Sequence, residues 1–469
     1  MVKFMRTHIL LITWIMVICF AATMFSGTFY FKDLLFNKHE NKNNDRNLAN
    51  EIATIDNVII NKDTYNSILN KNIYYNYDLT KRNLEPDQLE SLKLQAFLKA
   101  ANDSLFVEEA KKNHVTITGA DLDNAIQSIL KAYNIKNKNE LKKVLKDNQV
   151  NYSDFISHLK DELLAKKFVN MVLLKDVQVS NQDIENSQFK LHLRHLLLKV
   201  PNNTTENQVL IKIKNIKAQI DQGLSFTEAI KKYSEDDRHK NGDLGWISVN
   251  ETPLVIEKVA YSLPINGISG PTKTALGYHL IQLLNKRMIP VKDFNLEKRR
   301  AELFEAKKSQ IVSSFLDEKF NNLKIQDAHL SAIFAKQEGN YQKALISYQN
   351  LIAENPENPF PDYYIAELLT KTDPKNPQIN EELNKASIKV ELNPSLDFAS
   401  LHILLGDQAK KNNAPAIAAK EYQKAFELGE KNIYVLTRLK TIYKDNKKEC
   451  GKIENLLKNL IARESVVKK

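Results

Sequence analysis

Apolar residues along this chain recur with two different periods, and the change of period marks out its parts. In "LESLKLQAFLKAANDSLFVEEAKKNHV" and "DFISHLKDELLAKKFVNMVLL" they return every three or four residues, which predicts amphipathic helices. "IATIDNVIINKD" ahead of them reads as a short β segment, and "VSNQDIENS" behind them as a short helix capped by Ser180. From Leu191 the pattern shifts. "LHLRHLLLKV" predicts a strand, and "NQVLIKIKNIKAQIDQG" a helix ending at Gly223. "SFTEAIKKYSE" opens with Ser225 and Glu228 at capping-box spacing. The turn and strand "NGDLGWISV", a helix near 254–262, a Gly-rich loop and a last strand "GYHLIQLLNK" complete a β-α-α-β-α-β order, an α+β domain. Residues 290–325 return to helix.

Both ends of the chain read differently from this middle. Residues 9–31 carry no charged side chain, and a helix of that length rises about 34 Å, enough to cross a bilayer. The run lacks a good small-residue cleavage site and is read as an anchor that stays. Lysine and arginine stand on both sides of it, so charge alone does not orient it. Residues 37–50, "NKHENKNNDRNLAN", have no apolar pattern and read as a tether. Towards the C-terminus, "GNYQKALISYQNLIAENPEN" and "PAIAAKEYQKAFELGEKN" share small and aromatic spacing, with "NEELNKASIKVELNPS" between them. The interval from Pro356 to Pro394 is close to the roughly 34-residue unit of tetratricopeptide repeats. Three degenerate repeats and a closing helix pair are predicted, with Ala344, Ala386 and Ala425 letting helices approach closely.

Composition narrows the function classes. Charged residues at 26% and hydrophobic residues at 43% describe folded globular material. The net charge of +10 is spread among acids and asparagines without an arginine cluster, which argues against nucleic acid as a partner. Cys19 and Cys450, at opposite ends, imply no disulfide framework.

A histidine at the centre of the apolar strand 193–199 is the odd feature of the sequence. Side chains alternate along a strand, so Leu193, His195 and Leu197 share a face while His192 points away. A metal pair His192-x-x-His195 is excluded by that alternation. In the last strand His279, Ile281 and Leu283 share a face in the same way.

The landmarks "LRHLLLKV", "GLSFTEAIKKYSED", "NGDLGW", "AYSL" and "GISGPTKTALGYHLIQL" come in the order and near the spacing of a parvulin-type peptidyl-prolyl isomerase, which residues 191–287 resemble. The resemblance implies His195 and His279 as two active-site histidines on adjacent central strands, Asp236 at the family's Asp or Cys position, and Thr274 at its hydroxyl position. It implies a proline pocket at Leu244, Thr252 and Ile256, where Thr252 and Ile256 depart from the family's Met or Leu and Phe. It implies no metal and no cofactor. Residues 51–190, with "ATIDNVIINKDTY" and "LKLQAFLKAANDSLFVEEAKKNHVTITGADLDNAI", resemble the N-terminal chaperone domain of the SurA, PpiD and PrsA group.

The expected chain is thus multidomain. A short tail (1–8), a transmembrane helix (9–31) and a linker (32–50) precede an all-α chaperone domain (51–190). An α+β parvulin domain (191–287), a returning helix of the chaperone domain (288–327) and an all-α tetratricopeptide-like solenoid (328–465) follow. The resemblance implies a membrane-anchored isomerase and chaperone for exported proteins on the outer side of a bacterial cytoplasmic membrane. Its partners are unfolded X-Pro segments, the membrane, and a protein held by the repeats' concave surface. The alternative is a tethered, non-enzymatic chaperone or scaffold with a degenerate parvulin domain.

Overall fold

The computed structural model describes residues 50–74, 76, 84–147, 150–200, 206–239, 241–249, 251–274, 276–289 and 295–467. The expected anchor at 9–31 lies outside them, as does all but the last residue of the expected tether. No helix among the described residues is long and apolar enough to cross a membrane.

Strands β1 (Glu51–Ile55) and β2 (Val58–Asn61) lead into helices α1 (Lys62–Ile73), α2 (Pro86–Lys112), α3 (Gly119–Ala132), α4 (Lys138–Asp147) and α5 (Tyr152–Phe168). A π-helical turn, Val169–Leu173, and α6 (Asn181–Asn186) follow. Then come β3 (Phe189–Lys199), α7 (Glu206–Asp221), α8 (Phe226–Tyr233), β4 (Asp243–Ile247), α9 (Leu254–Ser262), β5 (Thr272–Thr274) and β6 (Gly277–Met288). After α10 (Leu296–Phe320) and β7 (Leu323–Ile325) the chain is helical: α11 (Ala328–Glu338), α12 (Tyr341–Glu354), α13 (Phe360–Thr372), α14 (Gln378–Leu392), α15 (Ala399–Lys411), α16 (Pro415–Gly429), α17 (Ile433–Ile442) and α18 (Lys447–Val467). The expected caps form: Ser180 and Ser225 each accept from the backbone three residues on, with Asp183 and Glu228 completing capping boxes.

The described residues divide into two compact units. The first holds the chain up to Glu108, Thr118–Glu162, and Asn322 onward. Here β1 turns into β2 through Asp56, which takes a left-handed φ of 52°. The other edge of β1 pairs antiparallel with β7, Ala53 opposite Ile325. That strand replaces the last residues of the expected helix 290–325. Three residues are too short to show an alternation, and only the open edge of β1 makes them a strand.

In the same unit α11 to α18 form four helical hairpins, packed each on the next. The first helices of the hairpins do not present a bare face. Pro86 to Glu90 of α2 and Glu85 before it lie against them. Tyr348 Oη donates to Glu90 Oε1 at 2.6 Å, and Lys336 Nζ stands 2.7 Å from Glu90 Oε2. Tyr434 Oη donates to Asp87 at 2.6 Å, Tyr364 Oη to the Pro86 carbonyl at 3.0 Å, and the Ser400 N–H to Glu85 at 2.8 Å. Residues 85–90 of this chain thus occupy part of the surface that these helices present.

The second unit holds Glu109–Ile117 and Leu163–Asn321. Its sheet runs β4-β3-β6-β5, antiparallel throughout. The expected order gains one strand, β5, which is three residues long and lies within the segment read as a Gly-rich loop. Leu196, Leu198, Tyr278 and Leu280 bury one sheet face under α7 and α8. Leu191, Leu193, Ile281 and Leu283 bury the other against Ile256 and Ala260 of α9. Helix α10 packs Leu303 on Val179 and Ile184, and Arg300 donates to the Val179 carbonyl at 2.5 Å.

Candidate functional site

Strand register builds the site. In the β3–β6 ladder His195 stands opposite Ile281, and Leu197 opposite His279. The two histidines are diagonal neighbours on one face of the central pair. Their Nδ1 atoms are 3.2 Å apart and the rings stack at 5.3 Å. The short strand β5 sets Thr274 so that its Oγ1 lies 2.8 Å from His279 Nε2, while it also accepts from the Leu276 N–H.

Asp236 comes from the loop after α8. That loop is sewn to β3 by the Glu235 N–H donating to the Leu197 carbonyl at 2.8 Å and by the His195 N–H donating to the Gly242 carbonyl at 2.8 Å. Gly242 has no substitute at this crossing, since its φ is +70° and a Cβ there would stand 2.3 Å from the His195 carbonyl oxygen. The result places Asp236 Oδ2 2.8 Å from His195 Nε2. Asp236, His195, His279 and Thr274, four residues singled out in the sequence, thus form one continuous hydrogen-bonded line.

A fifth residue joins them that sequence reasoning missed. His239 Nδ1 lies 2.8 Å from the same Asp236 Oδ2. Nothing in "DDRHKNG" signals it, because a spacing of three in a loop has no face to read.

Charge follows from these contacts. Burial would raise the Asp236 carboxyl, but hydrogen bonds from His195, the Arg238 N–H and His239 hold it well below the usual carboxylate range. An ionised carboxylate only accepts, so His195 Nε2 and His239 Nδ1 both carry protons towards it. Burial, and next the neighbouring His195, push His279 down to about 4. At neutral pH His279 is an uncharged imidazole, donating through one nitrogen and accepting through the other.

Of the three residues expected to line a proline pocket, Ile256 and Leu244 lie on the same face. Ile256 is 4% exposed within the apolar cluster of Leu193, Ile281 and Leu283, and half-buried Leu244 of β4 packs against that cluster. Thr252 lies just before α9. Its carbonyl accepts from Gln310 Nε2 at 2.8 Å, and its buried Oγ1 has no protein partner. His192 turns elsewhere, bonded to Asp243 Oδ1 at 2.8 Å and stacked on Trp246.

A carboxylate and a hydroxyl thus close a strand-mounted pair of histidines. The chain matches the family description "PPIC-type PPIASE domain" over residues 195–285 and "SurA-like N-terminal domain" over residues 1–169. Foldase protein PrsA of Clostridium acetobutylicum is 29% identical over 223 residues, 44% of this chain and 64% of that protein. Chaperone SurA of Methylobacillus flagellatus is 41% identical over 97 residues, 20% of this chain and 22% of its own length. A crystal structure of the peptidylprolyl isomerase PrsA from Bacillus anthracis is 25% identical, covering 48% of this chain and 98% of that one with a TM-score of 0.24. The chain spans less than two thirds of the curated relatives it matches. Residues 195–285 thus carry a parvulin-type isomerase domain, and the chain is similar to the SurA/PrsA foldases.

Proposed function

We propose that this chain is a peptidyl-prolyl cis-trans isomerase joined to a chaperone for unfolded exported polypeptides. The carrying observation is the unbroken line Asp236–His195–His279–Thr274 beside an apolar face. An X-Pro bond rotates over a barrier of about 20 kcal/mol because amide resonance must be lost. Leu244, Thr252 and Ile256 grip the proline ring. Asp236 fixes His195, His195 fixes His279, and the Thr274 hydroxyl and neutral His279 meet the amide as it leaves planarity. Interactions that strengthen only in the twisted amide lower the barrier, and no covalent step is needed. The test is the rate of X-Pro isomerisation in a short peptide. His279→Ala, with its fold checked by circular dichroism, lowers that rate at least about tenfold, or 1.4 kcal/mol of barrier. An intact protein no faster than buffer overturns the reading.

A second reading has its own observation. The unpaired Oγ1 of Thr252 polarises a pocket that should be apolar, which favours a scaffold that binds chains without turning them over. Aggregation suppression without isomerisation identifies it.

Client holding belongs, in this reading, to the helical domain 51–190 with the segment 288–327, because hydrophobic burial is non-directional and accepts many sequences. Met171 and Val172, exposed side by side on the π-helical turn, support it. A chain lacking 191–287 retains holding; loss of holding counts against this division. Residues 9–31 tether the protein to the outer side of a bacterial cytoplasmic membrane, where X-Pro segments of exported chains emerge. Recovery in the membrane fraction after alkaline washing tests the tether. The hairpins of 328–465 are tetratricopeptide-like and serve first to clamp α2, so any protein partner must use another face or displace it.

A further inference from the structure

We infer that His195, Asp236 and His239 form a binding site for a divalent transition metal of the Zn²⁺ class, and that an ion bound there stops isomerisation. The second half rests on the isomerase reading; the first does not. Each of the three residues offers one ligand atom within 4.8 Å of the other two, and this is the one such group of three among the described residues. His195 Nε2 and His239 Nδ1 are both 2.8 Å from Asp236 Oδ2. In a tetrahedral site with bonds of about 2.0–2.2 Å, ligand atoms stand roughly 3.3–3.5 Å apart. Entry of an ion therefore asks each ring to withdraw by about half an ångström. The His195 and His239 rings meet at 79° with centroids 6.0 Å apart, so their nitrogens converge on one point and the rings do not stack away from it.

The donor set decides the class of ion. Two imidazoles and one carboxylate suit Zn²⁺, Co²⁺ or Ni²⁺, whereas Ca²⁺ and Mg²⁺ need mostly oxygen. The second shell is in place as well. A metal on His195 Nε2 requires its ring proton on Nδ1, which faces His279 Nδ1 at 3.2 Å, and His279 in turn reaches Thr274 through Nε2. Asp236 Oδ1 accepts from the Arg238 N–H at 2.9 Å, leaving Oδ2 as the single ligand atom. The His239 side chain is 41% exposed, which gives the ion its entry and leaves its Nε2–H to water. Coordination replaces the two N–H donors on Asp236 and reverses the proton order of the line: His195 Nδ1–H donates to His279 Nδ1 and His279 Nε2–H to Thr274 Oγ1, so His279 no longer accepts the hydroxyl proton that sets Thr274 towards the amide.

The test uses the full chain, ZnCl₂ titrated calorimetrically and CoCl₂ followed by visible absorption, where tetrahedral coordination gives an intense band. The parent protein binds with that band. His239→Ala weakens binding by at least about tenfold, and His239→Cys, which returns a ligand atom, restores it. Equal affinity in the parent and His239→Ala overturns the site, whatever ions bind elsewhere. In the proline assay, Zn²⁺ at the concentration that fills the site stops the parent and spares His239→Ala. Binding that leaves the rate untouched overturns the inhibition. A chain that binds as described but is inactive without zinc retains the site and refutes the isomerase reading instead.

Discussion

Replacing Lys336 by methionine isolates what holds α2 in the helical hairpins. Lys336 serves two carboxylates at once, Glu90 at 2.7 Å and Glu367 at 3.2 Å, and the Glu90 side chain is only 7% exposed. Burial pushes Glu90 upward, but the Lys336 charge and hydrogen bonds from Lys336 and Tyr348, with His329 Nε2 at 3.5 Å, override it and hold Glu90 down at about 2. Without the cation, Glu90 retains the neutral Tyr348 hydroxyl, at 2.6 Å, as its close donor. Breaking a buried pair from one side costs about 3–5 kcal/mol. At roughly 2–4 °C per kcal/mol this lowers the unfolding transition by about 6–20 °C, read by differential scanning calorimetry at pH 7. The pH dependence fixes the cause. A carboxyl whose folded value lies below its unfolded value near 4.3 stabilises the fold above that pH, and the contribution fades as pH falls towards 2. The gap between parent and Lys336→Met should therefore be widest at pH 7 and shrink below about pH 4. Adding Glu90→Gln to Lys336→Met should recover part of the loss, since no buried charge is then left unpaired. A gap below about 1 kcal/mol, or one that does not change between pH 7 and pH 3, refutes the reasoning.

Three further outcomes test the isomerase unit. The isomerisation rate should hold down to about pH 5 and fall through a midpoint near 4, where His279 gains its proton; a midpoint near 6.5 would mean that His279 is not the group that matters. Gly242→Ala puts a Cβ 2.3 Å from the His195 carbonyl at a φ of +70°. It should cost about 1–3 kcal/mol in thermal unfolding and slow isomerisation, and an unchanged melting curve would show that this crossing is not tight. Thr252→Val removes a buried hydroxyl without a protein partner and keeps the shape, so calorimetry should find it stabilising by up to about 1 kcal/mol. A lower transition temperature would show that Oγ1 has a partner after all.

What the sequence made legible were the local rules and the parity of strands. Alternation grouped His195 with Leu193 and Leu197, and His279 with Ile281 and Leu283; the resemblance put the two on adjacent strands, and the ladder pairing Leu197 with His279 makes them diagonal neighbours. Ser180 and Ser225 announced their helices because a cap needs only residues three apart. The losses are all non-local. β7 is a strand because β1 has an open edge hundreds of residues earlier, and β5 because β6 runs beside it. His239 matters because a loop folds it onto Asp236. Glu85, Asp87 and Glu90 stand at the start of a helix, where negative charge suits the dipole. Their second role depends on Tyr348, Tyr434 and Ser400, which no period in the sequence links to them.

Both units bury a carboxylate among several donors, and the difference in those donors separates architecture from chemistry. Around Glu90 the chief donor is Lys336, a fixed cation whose own affinity for its proton is raised well above the ordinary lysine value by Glu367 and Glu90 against the pull of burial. No change of solution near neutrality alters that pair, so it can specify where α2 docks and little else. Around Asp236 the donors are two imidazoles and a backbone N–H. An imidazole can shift its proton between nitrogens or release one, and it can exchange that proton for a metal. The same buried carboxylate is therefore inert beside a lysine and responsive between histidines. The responsive one lies at the end of the apolar face that carries His195 and His279, and the inert one lies between packed helices.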